Sequence, residues 1–457
     1  MQNIKTKATT FLNSYYYPLL IFFATFISHT FSIELLGIIV LLLSVSIGLV
    51  LCDDLKFLIS PLIMFIFNFS QKSVKSGIFY TTPYLIAIGV VSSIMVVMFV
   101  IRFIIHKDKF DFKAPMKSKL FIGIGCLCGA FLLNGLFNFD GYEIGNIIFA
   151  LALIVCIGFI FFLFSINLKS DAGLKNYLFF ILYLTSILVV LEFFLSFTHQ
   201  FEFKDGELVK ESILLGWGLW NNIGGILAFL LPVHFYYAST VKKYGWIFYL
   251  TGVITFCAIA LSLSRASLLV SIFVIIASAL VSCFTGVNKK TNLIITSVLA
   301  VIGIVGIVVF WNKLATIFGD YITRGFDDNG RFDIYYDGLI NFTEHPIFGG
   351  GFYSAYPYDY QFISFIPYRY CNTIIQMLGT CGIVGLAAYL WHRYETLKLF
   401  WKKRSIYTLF CGLCMAGFLG TSLLDNHFFN LYPSFIYILI LLIVENSEVD
   451  FIPSNSK

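Results

Sequence analysis

The chain has 457 residues, of which 59% are hydrophobic and only 12% are charged, and its mean hydropathy is +0.88. These values lie far outside the range of soluble domains and exclude a soluble globular protein. The net charge of +5 comes mostly from short basic loops, so it reflects membrane topology and does not indicate a nucleic-acid partner. The sequence therefore predicts an all-α, polytopic integral membrane protein.

Apolar stretches near the roughly 20 residues that cross a bilayer recur along the chain and predict about 12–14 transmembrane helices. The first, within residues 11–29, has no small-residue cleavage site and is followed at once by further apolar stretches. We therefore interpret it as a retained helix and not as a signal peptide. The third, residues 57–69, is short and contains Pro61, so a full crossing and an interfacial or re-entrant segment both stay open.

Lys and Arg recur at every second connection between these stretches, which predicts that those connections and both termini are cytoplasmic. The basic connections are residues 106–119, 169–175, 241–245, 288–292 and 392–404. The alternate connections then face outward, and they include residues 199–220, 264–267, 312–371 and 425–429. We expect a transmembrane bundle over 1–311, a large extracytoplasmic loop over 312–371, further transmembrane helices over 372–446 and a cytoplasmic tail over 447–457.

The large outer loop is too long for a passive connection in a compact protein and is predicted to carry function. Within it, Phe332, Tyr335 and Leu339 recur at helical spacing before His345 and Pro346, which predicts an amphipathic helix lying on the membrane face. The following "FGGGF" supplies conformations that glycine alone adopts cheaply, and the aromatic stretch after it indicates an ordered lid or rim. Phe and Tyr alternate here with carboxylates, a composition that suits a sugar-binding surface, although aromatic residues also collect at membrane interfaces.

Arg265 is the most specific single signal. It stands in a short polar turn between two apolar stretches and is predicted to open a helix, with Ser264 or Ser267 as its cap. A helix N-terminus beside a guanidinium is a ready site for a phosphate or diphosphate, whereas an arginine that only reaches for lipid headgroups is the alternative. The large outer loop adds three more arginines, which are Arg324, Arg331 and Arg369.

The remaining chemistry-bearing residues give weaker signals. The ten cysteines lie mostly inside predicted spans, where cysteine behaves as a small hydrophobe, so they predict no disulfide framework. No cluster in the outer loop has the composition of a metal site, and we expect neither a metal nor a cofactor. Glu192 lies within an apolar stretch, where a carboxylate either serves function or is satisfied by a neighbouring helix.

Three stretches, in this order, resemble one known family. They are "LSLSRASLLV" (261–270), "GRFDIYYDGLINFTEHPIFGGGF" (330–352) and "CNTIIQMLGTCGIVGL" (371–386). Together with the number of apolar stretches and the position of the outer loop, they resemble the bacterial O-antigen polymerase and O-antigen ligase superfamily of membrane glycosyltransferases. The resemblance implies a GT-C-like helical membrane fold.

The resemblance also implies roles for particular residues. Arg265 and Arg331 match arginines that hold the diphosphate of a lipid-linked glycan, and Asn372 matches the asparagine after the family's histidine. Cys371 stands where the family has that histidine, and a thiol with an ordinary pKa near 8.5 is a poor base at neutral pH. His427 or His345 could replace the histidine, and Arg369, two residues before Cys371, could take over an orienting role.

The function that this resemblance implies is glycosyl transfer at the outer face of the bacterial cytoplasmic membrane. Donor and acceptor are undecaprenyl-diphosphate-linked glycans, and membrane lipid, flippase and chain-length regulator proteins are the implied partners. Heavy use of Lys, Asn, Ile and Phe indicates an AT-rich genome, and many such bacteria lack lipopolysaccharide, so we favour a polymerase of O-antigen or capsular repeats over a ligase. A flippase stays as an alternative, although no internal repeat is evident, and a peptidoglycan-type polymerase would need an acidic outer-loop motif that is not found here.

Overall fold

The computed structural model describes residues 2–70, 82–138, 144–168, 173–204, 207–309, 311, 330–352 and 370–447. The elements within this part of the chain are almost all helices, and its strands are two antiparallel pairs of two-residue strands between residues 203 and 219. The predicted all-α, polytopic membrane fold is therefore confirmed.

The described elements carry the following labels. The helices are α1 Gln2–Leu12, α2 Tyr16–Thr30, α3 Glu34–Leu51, α4 Ile59–Met64, α5 Thr82–Ile105, α6 Ala114–Lys117, α7 Phe121–Leu132, α8 Ile144–Ile154, α9 Ile160–Asn167, α10 Leu174–His199, α11 Trp220–Thr240, α12 Gly245–Leu261, α13 Arg265–Phe284, α14 Lys289–Val309, α15 Arg331–Glu344, α16 Thr373–Lys402, α17 Ile406–Asp425 and α18 Leu431–Asn446. A π-helical turn, Val155–Phe159, joins α8 to α9. The strands are β1 Phe203–Lys204, β2 Glu207–Leu208, β3 Leu214–Leu215 and β4 Gly218–Leu219.

The apolar helices differ in length. Among the described residues, eight helices are long and apolar enough to cross a membrane, or up to ten if each of two bent pairs is one span. Four shorter apolar helices of 10–17 residues occupy other predicted spans. This count covers the described residues only, so the predicted total of 12–14 stays a prediction.

Contacts between loops define two ends of the bundle. Arg102 of α5 donates from Nη1 to the carbonyl oxygens of Leu49, at 3.1 Å, and Cys52, at 2.6 Å, which ties it to the C-terminal end of α3. The hydroxyl of Ser118 donates to Glu445 at 2.6 Å, so the last turn of α18 meets the basic connection 106–119. We call this the basic end, and we call the other, which contains the start of α3 and the start of α13, the site end.

The short segment with Pro61 passes from one end to the other. At the basic end, the N–H of Leu55 donates to the carbonyl of Asn167, the last residue of α9, at 3.4 Å. At the site end, the carbonyl of Phe69 lies 3.0 Å from Nδ1 of His29, in the last turn of α2. Between them the chain forms a 3₁₀ turn, the short α4 and a second 3₁₀ turn. The segment therefore traverses the bundle without forming a helix of ordinary spanning length.

The predicted helix of the outer loop forms as α15 and ends at the C-cap His345. It packs along the first part of α16, because a Cβ on Gly338 would lie 2.4 Å from Ile375 and Asn341 donates to the carbonyl of Gly379 at 3.0 Å. These contacts advance in the same direction along both helices, so α15 runs parallel to α16 and lies against the bundle. The predicted lid or rim after residue 352 falls on 353–369, outside the described residues.

The three consecutive glycines fit into a break in α16. Gly382 has φ of 63° and ψ of −159°, which interrupts the helix. Four backbone hydrogen bonds join the segments, from Gly350 N–H to Gly379, Gly351 N–H to Thr380, Ile383 N–H to Pro346 and Val384 N–H to Ile347, at 2.8–3.2 Å. Gly349 has φ of +67°, and a Cβ there would lie 2.3 Å from the carbonyl carbon of Thr380, so the close approach requires glycine.

Candidate functional site

Arg265 is the first residue of α13, at the site end. The side-chain oxygen of Ser264 accepts a hydrogen bond from the N–H of Ser267 at 3.4 Å, which confirms Ser264 as the helix cap. Arg265 itself is half-buried. The guanidinium is therefore attached at the positive end of the helix dipole, where an anion is stabilised.

Two adjacent glycines of α11 lie between the start of α13 and His427. A Cβ on Gly224 would lie 2.8 Å from the Cβ of Ser267, and a Cβ on Gly225 would lie 2.3 Å from Nε2 of His427. Because the two glycines are consecutive, both neighbours pack against the same turn of α11. The start of α13 and the imidazole therefore belong to one region of the site end.

The end of α17 brings a second arginine to this region. Nη1 of Arg331 donates to the carbonyl of Leu424 at 2.7 Å, and its Nη2 lies 3.9 Å from Oδ1 of Asp425. The other carboxylate oxygen of Asp425 lies 3.7 Å from Nε2 of His427. Asp425 thus stands between the guanidinium and the imidazole, at the point where α17 ends in the left-handed residue Asn426.

His427 and Asp425 differ in exposure. His427 is 1% exposed, whereas the side chain of Asp425 is 15% exposed. Nδ1 of His427 lies 3.2 Å from Nδ2 of Asn430, so the ring is held on a second side as well. Of the two groups, the carboxylate is the more accessible from outside.

Asn372 and Cys371 lie at the same end of α17. Asn372 caps α16 by accepting at Oδ1 from the N–H of Ile374 at 2.8 Å, and its Nδ2 donates to the carbonyl of Leu423 at 2.9 Å. Cys371 is partly exposed and has φ of 52°, in the left-handed region. The hydrogen bonds of Asn372 show that it has a structural role. Its predicted contact with substrate stays a prediction.

Gln376, one turn further along α16, explains part of the third family-like stretch, residues 371–386. Its Oε1 accepts from Nδ2 of Asn426 at 2.6 Å and from the N–H of Tyr370 at 2.9 Å. Thr373 donates from its hydroxyl to the carbonyl of Ser422 at 2.9 Å. These bonds fix the start of α16 to the end of α17 and thereby fix the position of Asp425, a role that sequence reasoning missed.

The other predicted site residues are placed apart or lie outside the description. His345 caps the end of α15 opposite to Arg331, roughly 20 Å away along the helix axis at 1.5 Å per residue. Arg324 and Arg369 lie outside the described residues, so their roles stay predictions. The structure thus brings Arg265, Arg331 and His427 to one end and places His345 beside the break in α16.

Lys210 joins this region from the connection between α10 and α11, and sequence reasoning did not single it out. Burial, first of all, lowers the pKa of Lys210, and the positive charges of Arg265 and Arg331 lower it further, against the opposing effect of Glu211 and Asp425. These four charged groups therefore lie close enough to act on the ammonium of Lys210. No local sequence pattern indicates a role for Lys210, because Arg265, Arg331 and Asp425 are distant from it in the chain.

Glu192 lies beside the site in a buried polar group of its own. It is 0% exposed, its Oε2 accepts from Nε1 of Trp217 at 2.8 Å, and the same oxygen lies 3.7 Å from Nδ1 of His29. Its Oε1 has no hydrogen-bond partner within the described part of the chain. The carboxylate therefore holds the β3–β4 hairpin, which contains Trp217, against α10.

Within the described residues, no group of three or more His, Cys, Asp or Glu side chains could hold a metal ion. None of the ten cysteines is in a disulfide, and Cys411 and Cys414 are buried within α17. The "CGLC" motif thus packs inside a helix.

Comparison with known proteins gives one match. The family model described as O-antigen ligase matches residues 250–390. This range contains Arg265, Arg331, Cys371 and Asn372, whereas Lys210, Asp425 and His427 lie outside it. No curated protein matches the chain.

Proposed function

We propose that this chain, residues 250–390 of which match the family model described as O-antigen ligase, belongs to the O-antigen polymerase and ligase superfamily and polymerises undecaprenyl-diphosphate-linked oligosaccharide repeat units. The observation that carries this proposal is the grouping of Arg265, Arg331 and Asp425 at one end of a helical membrane bundle. Two guanidinium groups beside one carboxylate suit an anionic substrate with a reacting hydroxyl nearby.

The arginines hold the diphosphate. A guanidinium presents several N–H donors in a planar fork that matches phosphate oxygens, and it carries its charge at every physiological pH. Arg265 acts at the start of α13, where the helix dipole adds to its charge. Arg331 keeps one nitrogen on the carbonyl of Leu424 and has further N–H groups for the substrate. In this proposal arginine charge takes the place of a metal ion.

The reaction is a displacement at the anomeric carbon of the donor sugar. The hydroxyl oxygen of the acceptor forms the new glycosidic bond, the bond from the anomeric carbon to the diphosphate breaks, and undecaprenyl diphosphate leaves as an anion that the arginines stabilise. The hydroxyl proton passes to Asp425, the more exposed member of the pair, and His427 stabilises the pair from its buried side. Such proton transfer contributes roughly two to four orders of magnitude to the rate.

The proposal includes a membrane and an orientation. The basic end faces the cytoplasm and the site end faces outward, at the outer face of the bacterial cytoplasmic membrane, because Lys and Arg are concentrated in cytoplasmic loops. Repeat units then reach the site after a flippase has carried them across, and a chain-length regulator is the natural further partner.

Incubation of the purified full-length protein with one lipid-linked repeat unit tests the reaction. A polymerase produces glycans of two or more repeat units from that substrate alone. A ligase, which the name of the matched family favours, leaves the repeat unit unchanged until a different acceptor is added. Transport of the lipid across a vesicle bilayer without any new glycosidic bond would contradict both enzyme proposals and favour the flippase.

A further inference from the structure

Lys210 lies in a well-anchored turn of the connection between α10 and α11, outside the residues that match the family model. The turn Lys210–Ser212 is tied back to Glu202, whose N–H donates to the hydroxyl of Ser212 at 2.9 Å and whose carbonyl accepts from the N–H of Val209 at 2.9 Å. The bond between Trp217 and Glu192 fixes the same connection at a second point. Lys210 is therefore attached to ordered backbone.

The ammonium of Lys210 is held over an aromatic ring at the edge of the site. Its Nζ lies 5.2 Å from the ring centroid of Trp220, the first residue of α11. The next turn of α11 contains Gly224 and Gly225, which pack against the start of α13 and against His427. Lys210 thus lies at the start of α11, one turn before the glycines that separate the start of α13 from His427.

Both positive and negative charges act on Lys210. Among the described residues, the cations that act on it are Arg265 and Arg331, and the acidic groups are Asp425 and the exposed Glu211. Burial and the two arginines lower the pKa of Lys210, so its ammonium is held at a free-energy cost that a bound anion would offset. A solvent-exposed lysine stacked on a ring would not carry this cost.

We propose that Lys210 is a third cationic ligand of the lipid diphosphate, contributed by the α10–α11 connection and aimed by the ring of Trp220. The proposal rests on the proposed function, since it assumes that this site binds a lipid-linked diphosphate. Lysine contributes a compact charge with three donors, which complements the planar forks of the two arginines. The site thus gains a phosphate contact that does not depend on the segment shared with the family.

Binding of undecaprenyl diphosphate to the full-length protein in lipid nanodiscs tests this role, because the assay needs no acceptor and no turnover. Lys210→Gln should weaken binding by about fivefold or more, as expected for loss of a charge-assisted contact. Lys210→Arg keeps the charge and should retain most of the affinity. Lys204→Gln, which removes an exposed lysine of β1 in the same connection, is the matched control and should bind like the wild type.

The outcomes separate this inference from the function on which it rests. Equal affinities of Lys210→Gln and Lys204→Gln, together with weakened binding by Arg265→Gln, would overturn the role of Lys210 and leave the proposed function standing. A wild-type protein that does not bind undecaprenyl diphosphate would overturn the function itself. If Lys210→Arg binds as weakly as Lys210→Gln while both variants keep the wild-type melting temperature, the lysine is not a charge ligand and the inference fails.

Discussion

Oδ2 of Asp425 lies 3.7 Å from Nε2 of His427, with the carboxylate partly exposed and the imidazole almost completely buried. The distance is longer than a hydrogen bond, and contacts of this kind often tighten when substrate binds. The difference in exposure supports the proposed proton transfer to the carboxylate, with the imidazole in a supporting role.

Asp425→Asn should lower the rate of glycan elongation by roughly two to four orders of magnitude, because the amide cannot accept the proton of the acceptor hydroxyl.

His427→Ala should also lose much activity, while Cys371→Ser should keep most of it, since a thiol is a poor base near pH 7. Initial rates with a lipid-linked repeat unit give the comparison. An inactive serine variant beside a normal His427→Ala variant would instead assign the chemistry to the thiol.

Gly225→Ala should reduce activity without unfolding the protein. Alanine is favoured over glycine inside a helix by up to about 1 kcal/mol, but its methyl group would lie 2.3 Å from the His427 ring and must push that ring aside. We expect a wild-type melting temperature with a rate close to that of His427→Ala. Gly303→Ala, where nothing lies within 4 Å of the added methyl, is the control, and equal rates for both alanine variants would contradict the assigned position of the ring.

Arg265→Ala should slow polymerisation by about tenfold or more, because charge-assisted hydrogen bonds to the leaving diphosphate contribute roughly 1.5–3 kcal/mol. Arg265→Lys keeps the charge but loses the fork, so it should recover only part of the rate. The variants are compared at matched membrane levels. Full activity of the lysine variant would identify Arg265 as a headgroup anchor, since lysine reaches headgroups equally well.

Labelling of single cysteines tests the orientation. In a cysteine-free background, cysteines placed at Asp328 and Tyr358 should react with an impermeant maleimide added to intact cells, whereas one at Lys402 should not, because basic connections stay in the cytoplasm. Permeabilised cells, in which Lys402 must become reactive, give the control. Reaction at Lys402 in intact cells would move the site end to the cytoplasm.

Local sequence patterns predicted the local structure of the site well. The start of α13 at Arg265 with its Ser264 cap, and the end of α15 at His345, both follow from a few adjacent residues whose side chains or missing N–H groups decide where a helix begins and ends. The all-α membrane fold followed from composition alone. These features depend on residues close in sequence.

Features that join distant parts of the chain could not be predicted in this way. Arg331 and the carbonyl of Leu424 are 93 residues apart in sequence, and the lysine that joins the arginines lies in a connection with no recognisable motif. Tertiary contacts decide where these residues meet.

The chain on either side of residues 353–369 is anchored. The glycine segment is bonded to α16 through its backbone and to Asn138, whose Nδ2 donates to the carbonyl of Gly350 at 2.8 Å. Phe352 N–H donates to Asn134, and Tyr370 N–H donates to Gln376. Substitutions, insertions or deletions between these two anchors therefore leave the register of α15, and with it Arg331, unchanged. Sequence changes confined to residues 353–369 should therefore alter the glycan preference of the proposed enzyme while the proposed diphosphate contact of Arg331 is retained.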